Sequence, residues 1–510
     1  MKRNLLKAIG ISFLIFVVLS WIIPVGSYYG GKFTNDGIDA VGLFDLIGVP
    51  VQTMLTFALY AAVFACIGGL YGVISKTGTL ELWTDKIAKR FTGKEKRFII
   101  FTIIFFVVLS SLTGLVLPLF VLVPLFAVVF TKLNYDKVTA FASTIGSLLV
   151  GSVCSTYGFN ITGYTKNLLS LDMNSEIWAK VILLVLLTAL LIFFVLKYAT
   201  KKEIKVVKET KEAKEEKTAK VVEEEPKKKA TKVASKVTTS KKKATKKKTQ
   251  NMAVAKDVKK VNAVKTVSIV PLVVIVILMM IITLVGMYNW YYSFGIELFN
   301  DIHATVMGVK IGDFPIFEHL LSGISQFGYW GNTEFIMMMV IASALIAFVY
   351  RLKFGQYVES FIAGMKKMMP TALYAALASI ILSVLYPAVS QGAGTMVTTM
   401  FNSTLGNDFN VFTTGLTALY GSFFYNDLYY LLYGMQAFMS NFDANALNIA
   451  GLLIQSVYAL GMLIFPTSVV LIAGLSYFDV SYKKWIKYIW KFALIALIIV
   501  FATCLILTVI

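Results

Sequence analysis

Long apolar runs alternate with short polar interruptions along most of the chain, and the interruptions recur in the same order twice. In the first half, apolar runs near bilayer length occupy 5–24, 51–75, 138–155 and 178–198. Between the second and third lies an amphipathic stretch, 78–96. Two shorter apolar arms follow, 98–109 and 115–129, joined by Ser110-Ser111-Leu112-Thr113-Gly114. Each arm is shorter than the roughly 20 residues a helix needs to cross a bilayer, so the pair predicts a re-entrant hairpin with a polar tip. The second half predicts spans at 267–287 and 334–350 and an amphipathic stretch at 353–368. An arm at 371–385, the polar tip Ala388-Val389-Ser390-Gln391-Gly392-Ala393-Gly394 and a second arm through Phe401 come next. Apolar segments at 411–420, 428–439 and 447–465, another after Pro466 and a last one at 485–510 complete the pattern.

Each half therefore reads as two spans, an amphipathic arm, a polar-tipped hairpin, an interrupted span and a terminal span. Even the terminal spans start alike, with Trp178-Ala179-Lys180 and Trp485-Ile486-Lys487. Internal repetition with paired interruptions marks secondary transporters. The expected fold is an all-α polytopic membrane protein of about ten spans. These would form two structural repeats with re-entrant hairpins and broken helices: 1–200 the first membrane repeat, 201–265 a linker, 266–510 the second repeat.

Composition agrees with a membrane protein: 57% of residues are hydrophobic and the mean hydropathy is +0.75, far outside the soluble range. The linker stands apart. It holds 23 Lys against eight Glu and one Asp, +14 of the formal +20, and no aromatic residue. Such a segment buries too little apolar surface to offset its ordering entropy and is expected to be disordered. It would serve as a solvated tether, as a patch attracted to anionic lipid head groups, or least specifically as a nucleic-acid contact at 241–248. No aromatic residue is interleaved there for base stacking, so no specific nucleic acid is expected.

Basic residues cluster before the first span (Lys2, Arg3, Lys7), on the first arm (Lys86 to Arg97), in the linker, and at Arg351/Lys353, Lys366/Lys367 and Lys483/Lys484, whereas 26–50 and 289–332 carry only Lys32 and Lys310. The positive-inside rule then places the N-terminus and the linker in the cytoplasm of a multi-pass cell-membrane protein. Both amphipathic arms fall inside by this rule, although inverted repeats would put the two hairpins on opposite sides. Residues 1–7 and the run after them could pass for a signal peptide. With no small-residue cleavage site, they read as a retained first helix.

Chemistry is expected where helices break, because unpaired backbone persists within a bilayer only where it lines a cavity. The candidates for substrate binding are Ser110, Ser111, Thr113 and Gly114 at the first tip and Thr156, Asn160 and Thr162 at the next interruption. In the second half they are Ser390, Gln391, Gly392, Gly394 and Thr395, then Pro466, Thr467 and Ser468. Half-helix N-termini offer free N–H groups to anions and C-termini offer carbonyls to cations. Small residues in membrane helices also serve plain helix packing. Asn426 and Asp427 are the candidates for ion coupling. An intramembrane carboxylate could bind a coupling cation, carry a proton or pair a cationic substrate, while the bland alternative is a helix cap near the surface. Lys166 could meet a substrate carboxylate or snorkel to the interface.

Three cysteines lie unpaired in apolar runs and the two histidines are far apart, so neither disulfides nor a metal site is expected. No cofactor is expected either. Metalloprotease, nucleophile-elbow and phosphate-loop motifs are missing from the sequence, which argues against an enzyme or an ATP-driven pump.

At these breaks the sequence resembles the ion transporter superfamily, nearest to YfcC-type carriers related to four-carbon dicarboxylate and arginine/ornithine transporters. Phe465-Pro466-Thr467-Ser468 followed by Tyr482-Lys483-Lys484-Trp485 resembles that family's Pro-Thr-Ser-Gly run and Tyr-x-Lys-Trp helix start. Pro24-Val25-Gly26-Ser27-Tyr28, Gly68-Gly69 through Lys76-Thr77-Gly78, Ser390–Gly394 and Asn160 resemble its other motifs. The chain departs from the family where Leu115-Val116-Leu117 follows Gly114 in place of an acidic pair, and where Ile161 follows Asn160 in place of Pro. The resemblance implies a secondary active transporter, a symporter or exchanger of elevator type. Its substrate would be a small amino acid or carboxylate, with H+ or Na+ coupling, and a homodimer is an assembly it allows. The rival expectation is a membrane tether whose Lys-rich segment binds anionic lipid or nucleic acid.

Overall fold

Backbone that finds no water within a bilayer must pair within its own segment, and in the computed structural model of this chain the apolar runs do so as helices. The structure describes residues 2–220 and 268–510 apart from 30, 53, 322, 391–393 and 407. Among the described residues, seven helices are long and apolar enough to cross a membrane. They are Phe57–Lys76, Glu95–Thr113, Ile177–Ala199, Val270–Met287, Asn332–Val349, Ala444–Phe478 and Tyr482–Leu507, with four shorter apolar helices beside them. The chain is an all-α polytopic membrane protein. Its described strands are confined to two small hairpins, Val25–Tyr29 with Lys32–Gly37 and Lys310–Ile311 with Phe314–Pro315.

Met1–Ala199 and Ile269–Ile510 together form one compact unit, and Thr200–Ser268 forms a second. The helix Ile177–Lys220 runs well into the Lys-rich segment, where disorder was expected. Opposite charges spaced four apart (Lys205/Glu209, Lys208/Glu212, Lys211/Glu215, Glu216/Lys220) favour that continuation. The rest of the segment lies outside the described residues.

The first hairpin pairs the helix Glu95–Thr113 with Val123–Lys132 through aromatic ring contacts. Phe98 lies 6.0 Å from Phe126 and 4.9 Å from Phe130, and Phe106 lies 5.0 Å from Phe126. Gly114 turns the chain at φ 70, a backbone state that side chains disfavour. The Ser/Thr run does not interrupt the first arm as predicted. Thr113 bonds back to Leu109 O (2.7 Å) and Ser110 reaches Leu148 O (2.7 Å), so the helix continues to 19 residues and is long enough to span.

A second hairpin stands at a place other than the one predicted. Val411–Phe424 and Leu428–Met435 turn back about Tyr425-Asn426-Asp427. Phe409, just before the first arm, and Phe442, beyond the end of the second, have rings 5.6 Å apart. A Cβ on Gly421 would meet the Leu431 side chain. Of the predicted tip at 388–394, residues 391–393 lie outside the described residues; Gly394 and Thr395, before the helix Met396–Thr404, are drawn to the N-terminal strand. Thr395 N donates to Gly26 O (3.1 Å) and Gly26 N to Thr395 O (3.2 Å). Any side chain on Gly394 would strike the Gly26 carbonyl, which is why small residues are needed there. Each hairpin is followed by a broken helix and a terminal helix.

The first broken helix runs Lys137–Phe141, a π-helical turn Ala142–Gly146 and Ser147–Val153, opens at 154–158, and resumes as a π-helical turn Phe159–Gly163 and Tyr164–Leu169. The second is Ala444–Ile464, an opening at Phe465-Pro466-Thr467-Ser468, and Val469–Phe478. Its exposed carbonyls are satisfied from the terminal helix: Trp485 Nε1 donates to Leu463 O (2.9 Å) and Tyr482 OH to Ile464 O (2.8 Å). That gives the Tyr-x-Lys-Trp start a physical task. Trp178 has no such role; it is 80% exposed where Trp485 is fully buried.

Away from the hairpins, the helices Met54–Lys76 and Phe354–Ala378 cross at touching backbones. A Cβ on Gly68 would lie 2.5 Å from Gly364 O, and one on Gly72 would lie 2.9 Å from Gly364 Cα. This is a small-xxx-small seam joining the two halves of the chain.

Candidate functional site

Both hairpin tips and both helix breaks meet at one cavity of about 470 Å³, a volume within the usual range for small-molecule sites. The first hairpin contributes Gly114 to Pro118, the first broken helix Phe159, Asn160 and Tyr164, the second hairpin Asn426, Asp427 and Leu428, and the second broken helix Ser468, Val469 and Val470. Tyr458 lines it from the first part of the second broken helix, Tyr60 from the helix Met54–Lys76, and Asn289 and Gly328 to Asn332 from the connection after the helix Val270–Met287. That connection is held by backbone: Gly328 N and Trp330 N both donate to Gly286 O, at 2.7 and 3.1 Å.

The wall is mostly aromatic, amide and apolar. Asp427 is the one acidic residue among the described lining, and no Lys, Arg or His joins it. Asp427 is also the N-cap of the helix Leu428–Met435; its Oδ1 accepts from Tyr429 N at 2.9 Å. The cap expected as the bland alternative is thus present, but it faces a cavity and not open surface. Asn426 Nδ2 donates to Ser379 Oγ (3.3 Å).

The helix Val469–Phe478 starts at the cavity wall. Ser468 Oγ caps it by accepting from Leu471 N (3.3 Å). The N–H groups of Val469 and Val470, in the first turn, have no acceptor within the helix. The neighbouring Thr467 hydroxyl is buried, at 3% exposure, and has no hydrogen-bond partner among the described residues. A buried hydroxyl without a partner calls for one.

Other expected residues sit behind the wall. Ser111 Oγ donates to Cys154 O (2.6 Å) and accepts from Thr156 N (3.3 Å). Thr156 Oγ1 reaches Ser111 O (3.3 Å), and Thr162 Oγ1 donates to Ser155 O (3.0 Å). Gln455, fully buried on the helix Ala444–Ile464, donates from Nε2 to Ser155 O (3.2 Å). Ser110, Ser111 and Thr156 therefore join the first hairpin to the first broken helix, Thr113 bonds back within its own helix and Thr162 bonds across the break to Ser155; none of the five lines the cavity, whereas Gly114 and Asn160 do. Pro466 and Thr467 adjoin Ser468 without lining it themselves.

Gly394 and Thr395 fall elsewhere, on a separate cavity of about 160 Å³ with Ser27, Tyr28 and Tyr425. Gln391 and Gly392 lie outside the described residues, as does the Ser390 side chain. Lys166 does not line the 470 Å³ cavity. Its Nζ donates to Tyr292 O (2.9 Å) and Ser293 O (3.0 Å), the free carbonyls at the end of a short helix.

Sequence reasoning missed Tyr60, Tyr164, Tyr458, Trp330, Asn289 and Asn332 on the wall and Gln455 behind it. A lone amide in an apolar helix was the available signal for Gln455. The tyrosines gave none, since rings within apolar runs read as packing.

Residues 53–239 match the family described as C4-dicarboxylate anaerobic carriers. The resemblance to carriers of the ion transporter superfamily holds over that stretch, which contains the first hairpin and the first broken helix. No curated protein matches the chain. Among solved structures, the chain aligns with the YdaH transporter of Alcanivorax borkumensis, described as having an unusual topology. The identity is 14%, covering 99% of this chain and 97% of that one, with a TM-score of 0.36.

Proposed function

We propose that the chain is a secondary active transporter of the cell membrane that moves a small amino acid or carboxylate through the cavity between its two hairpins. The observation that carries this reading is the meeting of both tips and both helix breaks, drawn from both halves of the chain, at one cavity. Broken helices at the interface of two repeats are the usual site architecture of secondary carriers. Asp427 is the cation-binding group, taking H+, Na+ or a positive part of the cargo. Transport proceeds by movement of the hairpins and broken helices against the glycine-seamed helices, as a symporter or an exchanger, with the N-terminus and the Lys-rich segment cytoplasmic.

The test is uptake and counterflow of labelled amino acids and carboxylates in proteoliposomes. The wild type accumulates at least one of them under a proton or sodium gradient or against a preloaded partner. Asp427→Asn, recovered folded in the same amount, loses about 100-fold in rate, the worth of a charge-assisted contact of about 3 kcal/mol. Normal accumulation by Asp427→Asn refutes the role given to that carboxylate. No flux of any solute refutes the carrier.

A further inference from the structure

The first broken helix meets the connection after the helix Val270–Met287 beside the cavity. Lys166, on the resumed part Tyr164–Leu169, sends its ammonium to Tyr292 O (2.9 Å) and Ser293 O (3.0 Å). These carbonyls end the short helix Trp290–Phe294, where Gly295 turns the chain at φ 69 and no further turn supplies N–H donors. Tyr288 OH donates to Tyr157 O in the opening at 154–158. Two ring contacts run alongside, Tyr157 with Phe294 (6.0 Å) and Phe159 with Tyr288 (6.4 Å).

Each side of this junction carries part of the cavity wall. Phe159, Asn160 and Tyr164 come from the broken helix, and Asn289 and Gly328 to Asn332 from the connection. The connection is fixed at its base, through Gly328 N and Trp330 N to Gly286 O. On its other side the broken helix is held by fully buried bonds to the helix Ala444–Ile464: Gln455 Nε2 donates to Ser155 O (3.2 Å) and Ser456 Oγ to Val153 O (2.9 Å). A bond beyond the reach of water costs more to break than one that water replaces. The Lys166 bond to Tyr292 O is exposed, and the ammonium rides on a flexible four-carbon stem. The seam against the connection is the weaker of the two, so the wall parts there first.

We infer that Lys166 and Tyr288 latch the first broken helix to this connection, and that release of the latch opens the cavity between them. This rests on the carrier reading above, since cargo must enter and leave, and adds to it a gate with its positioning residue.

Solvent access to the wall of the purified full-length protein tests it. Ala459, buried on the helix Ala444–Ile464, lines the cavity, and the native Cys66, Cys154 and Cys504 are buried. Ala459→Cys therefore adds one reporter thiol for a water-soluble maleimide. In that background Lys166→Met should raise the labelling rate about 10-fold, through the opening equilibrium that charged hydrogen bonds hold closed. Tyr288→Phe, which removes a neutral bond, should raise it about five-fold. Lys166→Arg keeps a cationic donor and should recover most of the wild-type rate. Cys154, fully buried, should label no faster in any of them. An unchanged rate at the reporter in Lys166→Met overturns the inference. So does an equal rise at Cys154, which would mean loosened packing and no gate. Labelling needs no cargo, so the two readings fail separately. A raised rate with no flux in the proteoliposomes keeps the latch and removes the carrier, and flux with an unchanged rate does the reverse.

Discussion

The two halves of the site are built alike and finished differently. In the first half, hydroxyls at the tip and break bond to nearby carbonyls: Ser110 to Leu148 O, Ser111 to Cys154 O and Thr162 to Ser155 O, the last of which also accepts from Gln455 of the second half. In the second half, Asp427 and Ser468 each use one oxygen on a helix cap and still face the cavity, and the Thr467 hydroxyl has no partner among the described residues. A polar residue at a helix break is therefore not by itself a ligand group. The first half spends its polar atoms on holding a hairpin to a broken helix, and the second keeps some of them free.

The contrast is broken most forcibly at Gly114. A side chain there must adopt φ 70 and bring its Cβ to 3.0 Å from the Gly158 backbone. Gly114→Val should cost about 3 kcal/mol, from left-handed strain plus overpacking. Thermal unfolding in detergent would show it as a fall in Tm, and an unchanged Tm would mean the tip is not packed on the break. Ser111→Ala is milder. It removes the hydroxyl that donates to the Cys154 carbonyl, while the Thr156 amide keeps its bond to Ser111 O, and should cost about 1 kcal/mol of stability; cargo affinity in the same preparation stays within about two-fold of wild type because the site is untouched. Smallest is Thr467→Val, whose stability should move by less than about 0.5 kcal/mol, since its hydroxyl has no partner to lose among the described residues. An equal fall in Tm for Ser111→Ala and Thr467→Val would erase the difference between the halves.

The places where the chain breaks were legible in the sequence. Gly114, Asn160, Asp427 and Ser468 stand out as polar or flexible residues in apolar runs, and each reaches the cavity wall. Which neighbours would remain free was not legible, because the acceptors that consume Ser110, Ser111 and Thr162 come from Leu148, Cys154 and Ser155, brought near only by folding. The same limit misplaced the second hairpin. Ser and Gly at 390–394 carry the composition of a tip, but the reason for Gly394 is the approach of the Gly26 backbone from a strand in the far half. The real tip, Tyr425-Asn426-Asp427, contains no glycine to announce it. The basic stretch 353–368 misled in a related way. It begins the helix Phe354–Ala378, and two further helices, Ile380–Ser390 and Met396–Thr404, separate it from the second hairpin.

The glycine seam has a bearing on how the protein is made. Gly68 and Gly72 face Gly364, and Gly26 pairs with Thr395, so surfaces synthesised early find their partners only after most of the chain has left the ribosome. Until then the helix Met54–Lys76 presents a bare backbone groove to lipid or to a neighbouring helix, and the N-terminal strand has an open edge. Contacts this distant in sequence close last, and exposed strand edges and grooves recruit wrong partners while they wait. The insertion machinery must therefore hold an unfinished first half in the membrane, and a defect in the glycines would show itself first as loss of newly made protein.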